Sequence, residues 1–149
     1  MIFNRTISDV SNAKEIIKNK IQLFLAVTND EIEILEKGTL TINTLNRIEE
    51  KQKELSESLK KIGYFGNQII TKSWSIEDKF YLDDLRRIIS NNEILRDSFY
   101  VYYDTPESPS AEYYYTNIND IEKILYDIEQ TISDVISLYK FCGSYYCGG

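Results

Sequence analysis

The chain has 149 residues, the size of one ordinary domain and enough to bury a core. Its 17 Lys+Arg against 24 Asp+Glu leave a net charge of −7, and close basic pairs such as Lys18 with Lys20 or Lys60 with Lys61 are scattered among acids, so nucleic acid is not an expected partner. Histidine is absent, which excludes His-based acid–base catalysis, the Ser-His-Asp and Cys-His nucleophile systems and the commonest zinc ligand.

The opening Met1-Ile-Phe-Asn-Arg5 has no apolar run ahead of a small-residue cleavage site, and no stretch approaches the ~20 apolar residues of a membrane span. The expectation is a protein made and kept in a reducing cytosol unless it leaves by lysis or in a particle, with no membrane partner. Ser8 or Asp9 is placed to cap a first helix, whose stripe of Val10, Ala13, Ile16, Ile17, Ile21, Phe24 and Leu25 recurs at three- and four-residue spacing. Thr28 and Glu31 fit a capping box that opens a short helix with Ile32 and Leu35 on one face and Gly38 at its end.

Two near-copies follow, forty positions apart: 41–55 and 81–95. Each has a short polar residue before a leucine (Thr44-Leu45, Asp84-Leu85), then Arg-Ile (Arg47-Ile48, Arg87-Ile88), then a closing leucine (Leu55, Leu95). A fainter third copy lies at Asn119-Asp-Ile-Glu-Lys-Ile124. Repetition on this scale marks one supersecondary unit stacked on itself, because a lone helix cannot bury its own apolar stripe. The first copy predicts a helix over about 42–62, capped by Thr41 or Asn43, with Leu45, Ile48, Gln52, Leu55 and Leu59 on one side, Glu49 and other charges opposite, and Gly63 closing it. The segment 64–80 breaks the pattern and reads as a loop with an extended piece. The second copy predicts a helix over about 82–99 through Leu85, Ile88, Ile89, Asn92, Leu95 and Phe99. Tyr100, Tyr102 and Tyr103 then precede a Pro-Ser loop, and Tyr113, Tyr114 and Tyr115 follow it; a small hairpin or a bend lying on the helices fits equally. Asn117 or Asn119 caps a last helix over about 118–141, which Gly143 ends, ahead of a Cys-containing tail at 142–149. The whole, 1–149, reads as a single all-α domain, a helical bundle with two related repeats.

Few residues suggest chemistry. Arg47 and Arg87 hold equivalent places one turn into their helices, where the structural reading is a contact that ties helix to neighbour and the functional one an anion site. Acid pairs such as Asp83-Asp84 and Asp120 with Glu122 sit at helix starts, where exposed amides favour carboxylates, and are assigned capping roles. Cys142 and Cys147 are too few for a tetrahedral zinc site within one chain; they stand as free thiols or close as a disulfide in an extracellular particle. Tyr100, Tyr102, Tyr103, Tyr113, Tyr114, Tyr115 and Trp74 are the candidate interface, since such rings serve protein contacts and, as the lesser reading, stack on sugars. Core packing competes for Trp74.

Asn4-Arg-Thr-Ile-Ser-Asp-Val10, Gly38-Thr-Leu-Thr-Ile-Asn-Thr-Leu-Asn-Arg-Ile48 and the segment from Trp74 to Leu95 resemble a helical module in structural proteins of tailed phages and prophages of Gram-positive bacteria. That module carries a lead-in reading roughly T-x-x-D-L-N-R-I-E, a tryptophan, and then F-x-x-x-D-L-x-R-I-x-x-N; here the last reads Phe80-Tyr-Leu-Asp-Asp-Leu-Arg-Arg-Ile-Ile-Ser-Asn91. The resemblance implies a small, non-enzymatic virion component of the tail, baseplate or neck, without cofactor or metal. Its implied partners are other virion proteins or copies of itself; a receptor- or glycan-binding module at the tail tip is the alternative.

Overall fold

A threonine opens each of the first three helices. The computed structural model describes residues 4–64, 68–112 and 114–144, with side chains described as far as 138 in the last helix. Five helices and no strand occupy the described residues: α1 (Ile7–Ile16, continued by a π turn over Ile17–Ile21), α2 (Asn29–Gly38), α3 (Ile42–Lys61), α4 (Leu82–Asp97) and α5 (Tyr115–Ser144). The chain is an all-α bundle.

Thr6, not Ser8 or Asp9, caps α1. Its hydroxyl accepts from the Asp9 amide at 3.2 Å while Asp9 accepts from the Thr6 amide at 2.8 Å, so the acid serves as the return half of a capping box. The helix stops before the Leu25 to which its stripe extends. Phe24 adopts φ 55, its amide bonds to the Ile21 carbonyl at 3.1 Å and the Leu25 amide to the Lys20 carbonyl at 2.7 Å. Those two bonds form the Schellman ending, which turns the chain away from the helix axis. Thr28 and Glu31 then cap α2 as expected, with reciprocal bonds of 3.1 and 3.3 Å. The two helices run antiparallel, joined by Lys20–Glu31 (3.3 Å) near one end and Lys37–Asp9 (3.5 Å) near the other. Only glycine permits the approach at their root: a Cβ on Gly38 would stand 2.2 Å from the Asp9 carbonyl oxygen.

The repeat helices follow the expected course. Thr41 caps α3, accepting from the Thr44 amide at 3.2 Å, and Gly63 at φ 83 closes it. Asp84 accepts from the Tyr81 amide at the start of α4 (2.9 Å), which ends at Asp97, short of Phe99. The last helix is longer than expected at both ends, starting at Tyr115 and passing through Gly143. Asn117 is therefore not its cap; it donates instead to the carbonyls of Ser110 and Glu112 (3.2 and 3.0 Å).

Contacts between these helices fix their direction. Lys51 bonds to Glu129 in α5, seven residues past the Glu122 that Arg47 reaches. Arg87 meets Glu49, and Gln52 meets Asn92 at 2.7 Å. Asn92 of α4 reaches the Ile121 carbonyl of α5 (3.0 Å), and just past the end of α4 the Tyr100 carbonyl accepts from Thr131 (2.9 Å). Low numbers pair with low and high with high, so α3, α4 and α5 run parallel. Each connection must then carry the chain back along the bundle. Residues 68–80 do this past Asn91, Glu49 and Asn46; residues 100–112 do it past Thr131, Asp127 and Asn117.

That return path decides between the two readings of the tyrosine loop. Its first arm lies beside Thr131 and its second begins α5, about 24 Å apart along the helix at 1.5 Å per residue. Among the described residues the arms do not pair as a hairpin. Leu45, Ile48, Leu55, Leu85, Ile88 and Leu95, the matched positions of the repeats, all enter one core with Ile121, Ile124 and Ile128 of α5. Each such side chain contributes roughly 1.5–3 kcal/mol on leaving water.

Candidate interaction surface

The core helices carry charge into their interior at three places, and the repeat arginines define two of them. Glu49 is 1% exposed; it accepts from the Lys72 amide (3.0 Å), the Trp74 indole N–H and two guanidinium nitrogens of Arg87. Glu122, also buried, accepts from Arg5 Nη1 (2.9 Å) and from Arg47. The arginines thus tie helix to neighbour, with partners 38 and 75 residues away in sequence. Two assignments are corrected here. Glu49 belongs inside, not on a solvated face, and Glu122 is a buried clamp, not a cap.

Trp74 is likewise corrected. It is buried, packs against Phe80 with ring centroids 5.4 Å apart, and lies under Lys72 Nζ (4.1 Å). It belongs to the core and leaves the candidate interface. A third polar knot joins equivalent positions of the repeats: Gln52 donates to Asn92, and Asn91 donates to Gln52 (3.3 Å) and to the Ile70 carbonyl (2.8 Å). A fourth holds the tyrosine loop, where buried Asp127 accepts from Thr105 (2.7 Å) and Lys123 (2.6 Å); the hydrogen bond to Asp127 raises the Lys123 pKa.

The tyrosines divide into two groups. Tyr100 and Tyr103 are 66% and 103% exposed at the far end of the bundle. Tyr100, Phe99 and Tyr64 make edge-on contacts there, with centroids 5.0–6.3 Å apart. Tyr102 is fixed by its hydroxyl, which donates to Asp134 at 2.9 Å and whose pKa that bond raises. Tyr114 and Tyr115 sit at the opposite end, where they line a groove of about 390 Å³ with Ile7, Val10, Lys14 and Ile118. Tyr113 lies outside the described residues, and Cys142 and Cys147 lie outside the residues whose side chains are described.

Sequence reasoning missed a run of three consecutive exposed apolar residues. Leu23, Phe24 and Leu25 are 64%, 97% and 53% exposed at the turn between α1 and α2. The place of Phe24 and Leu25 in an unbroken helical stripe hid them, because periodicity does not reveal that Phe24 takes a left-handed conformation. No family model, curated protein or solved structure matches this chain.

Proposed function

We propose that this chain is a non-enzymatic structural protein of a tailed-phage particle, acting in the tail, baseplate or neck through protein–protein contacts. One observation carries the assembly half of the reading: interior charges are engaged by the fold, while large aromatic rings are left outside it. Glu49, Glu122 and Asp127 each accept from two or more groups of the fold, whereas Tyr100, Tyr103 and Tyr114 stand exposed. Tyrosine presents amphipathic area at low entropic cost, the property that enriches it in interfaces. Tyr103 protrudes with its whole ring accessible, the geometry of a knob and not of a sugar-stacking groove. The resemblance of 4–10, 38–48 and 74–95 to a module of phage structural proteins supports the setting.

Mass spectrometry of purified particles tests the proposal, with the chain expected in fixed ratio to the other virion proteins. Tyr100→Ser with Tyr103→Ser should leave the circular dichroism spectrum unchanged and lower incorporation on the order of tenfold, the effect of losing about 1.4 kcal/mol of contact. Absence of the chain from intact particles would overturn the reading.

A further inference from the structure

The α1–α2 hairpin carries an apolar knob at one end and an apolar hole at the other. The knob is Leu23-Phe24-Leu25. The hole is the groove at the hairpin's root, walled by Ile7 and Val10 on one side and by Tyr114, Tyr115 and Ile118 on the other. From Ile7 to Ile21 the helix spans about 21 Å at 1.5 Å per residue, so a chain cannot fill its own groove with its own tip.

The backbone of the knob points to a purpose beyond folding. Schellman endings favour glycine at the left-handed position, because a Cβ is disfavoured there. This chain follows that rule at the end of α3, where Gly63 (φ 83) and Tyr64 bond to the Lys60 and Leu59 carbonyls at 3.1 and 2.9 Å. It breaks the rule at Phe24, where the Phe24 and Leu25 amides make the same two bonds with Phe24 at φ 55 and its ring almost wholly in water. The α1 helix also passes through a π turn just before this point, another local irregularity often found at functional sites. Strain kept at an exposed ring is a sign of use.

Apolar fit selects the occupant, since knob and hole lie on the same chain. Lys14 at the groove, and Lys18 and Asp30, each six residues from Phe24, have no ion-pair partner among the described residues, so a second copy entering by its Asp30 side sets an acid against Lys14. A chain of net charge −7 is poorly matched to an anionic membrane. We infer that the hairpin tip of one copy, with Phe24 as its anchor, docks in the Ile7–Tyr115 groove of the next copy. Knob and hole are different surfaces, so the contact is heterologous and builds a ring or an open stack. This rests on the assembly role proposed above and names the chain itself as a partner.

Sedimentation velocity on the full chain, from micromolar to near-millimolar concentration, provides the test. Wild type should associate as concentration rises. Phe24→Gly should weaken association on the order of thirtyfold, a loss in the range of interface anchors, without lowering the melting temperature. Ile7→Glu removes the hole at a solvent-exposed first position of a helix, where an acid is well tolerated, and should also give monomer. Mixed in equal amounts, the two variants hold one intact knob and one intact hole between them and should form a dimer and nothing larger.

Wild type that stays monomeric throughout overturns the inference, as does association that survives Phe24→Gly. Association lost with Phe24→Gly but kept with Ile7→Glu means tips meeting tips and overturns it too. Phe24-dependent sedimentation of a monomer with phosphatidylcholine–phosphatidylglycerol vesicles would overturn it in favour of lipid. A monomer still found in particles defeats this inference alone, whereas a self-associating chain absent from particles defeats only the assembly role.

Discussion

The bundle and the hairpin use the same residue types in opposite ways. In α3, α4 and α5 the large aliphatic residues of the repeats are buried and the interior acids are each gripped by several donors. In α1 and α2 only Ala13 and Ile16 are buried apolar residues, while Leu23, Phe24 and Leu25 face water and Lys14 and Asp30 lack ion-pair partners among the described residues. Three parallel helices with their return segments enclose a core; two helices have only one face to share. The bundle therefore stands by its own packing. The hairpin is held at its root by Gly38 against Asp9 and Ala13, and just ahead of it by Arg5, whose backbone exchanges hydrogen bonds with Asn119 (3.0 and 2.9 Å).

The sharpest way to break this contrast lies in the buried clamps. Glu49→Ala leaves the Trp74 indole N–H without its acceptor and the Arg87 guanidinium without its buried carboxylate, with only the Ile70 carbonyl and a distant Asp84 remaining to it, and should cost about 3–5 kcal/mol in chemical denaturation, the range for removing one partner of a buried ion pair. Leu85→Ala in the same core should cost about 2–5 kcal/mol. Gln52→Leu should cost about 1–3 kcal/mol, because Asn91 and Asn92 lose a partner. The double variant with Asn92→Leu should recover the share of that loss due to Asn92, since replacing both ends of a buried polar pair is close to neutral, and leave the share due to Asn91. A Glu49→Ala protein as stable as wild type would mean that the clamp is ornamental and that the helices are held by apolar packing alone.

The repeat was legible because packing repeats itself. Leu45/Leu85 and Ile48/Ile88 recur at the same spacing since both occupy one core, and even Gln52 and Asn92 fall on the predicted stripe and meet across it. The caps at Thr28 and Thr41 were legible for the same local reason: a hydroxyl three residues from its amide needs no distant partner. What depends on distant partners was hidden. Glu49 and Glu122 look like surface or capping acids until Arg87, Arg47 and Arg5 arrive from other elements. Parallel helices likewise need the whole path of the connections, which contain no regular structure among the described residues. The candidate interface was half legible. Tyrosine richness marked two exposed clusters, but Trp74 was core, and the Phe24 knob was indistinguishable from one more stripe position.

The two Schellman endings allow a finer comparison within one molecule. Gly63→Ala adds a Cβ into open space, so its cost is that of the backbone conformation alone, on the order of 1 kcal/mol. Phe24→Gly removes the same penalty at the hairpin and should raise stability by a similar amount, seen as a small upward shift of the melting temperature measured on monomer. Opposite signs at two equivalent turns would show that the hairpin gives up stability for an exposed ring. A loss of stability in Phe24→Gly would mean that the ring is packed in solution.

Acid should separate the regions last and least. The backbone amide of Thr6 holds the Asp9 carboxyl below its ordinary value, and that of Thr28 does the same for Glu31. A depressed folded-state pKa adds stability above the unfolded value, and that stability is lost as pH falls through the folded one. Both caps lie in the hairpin, so acidification below the ordinary carboxylate range should loosen α1 and α2. Asp120, at the start of α5, has the opposite sign: burial raises its pKa, and protonation on acidification relieves that strain. Amide hydrogen exchange followed downward through this range should show hairpin protection falling before that of α3 and α5. Uniform loss across all five helices would instead make hairpin and bundle one cooperative unit, with the root contacts stronger than the caps.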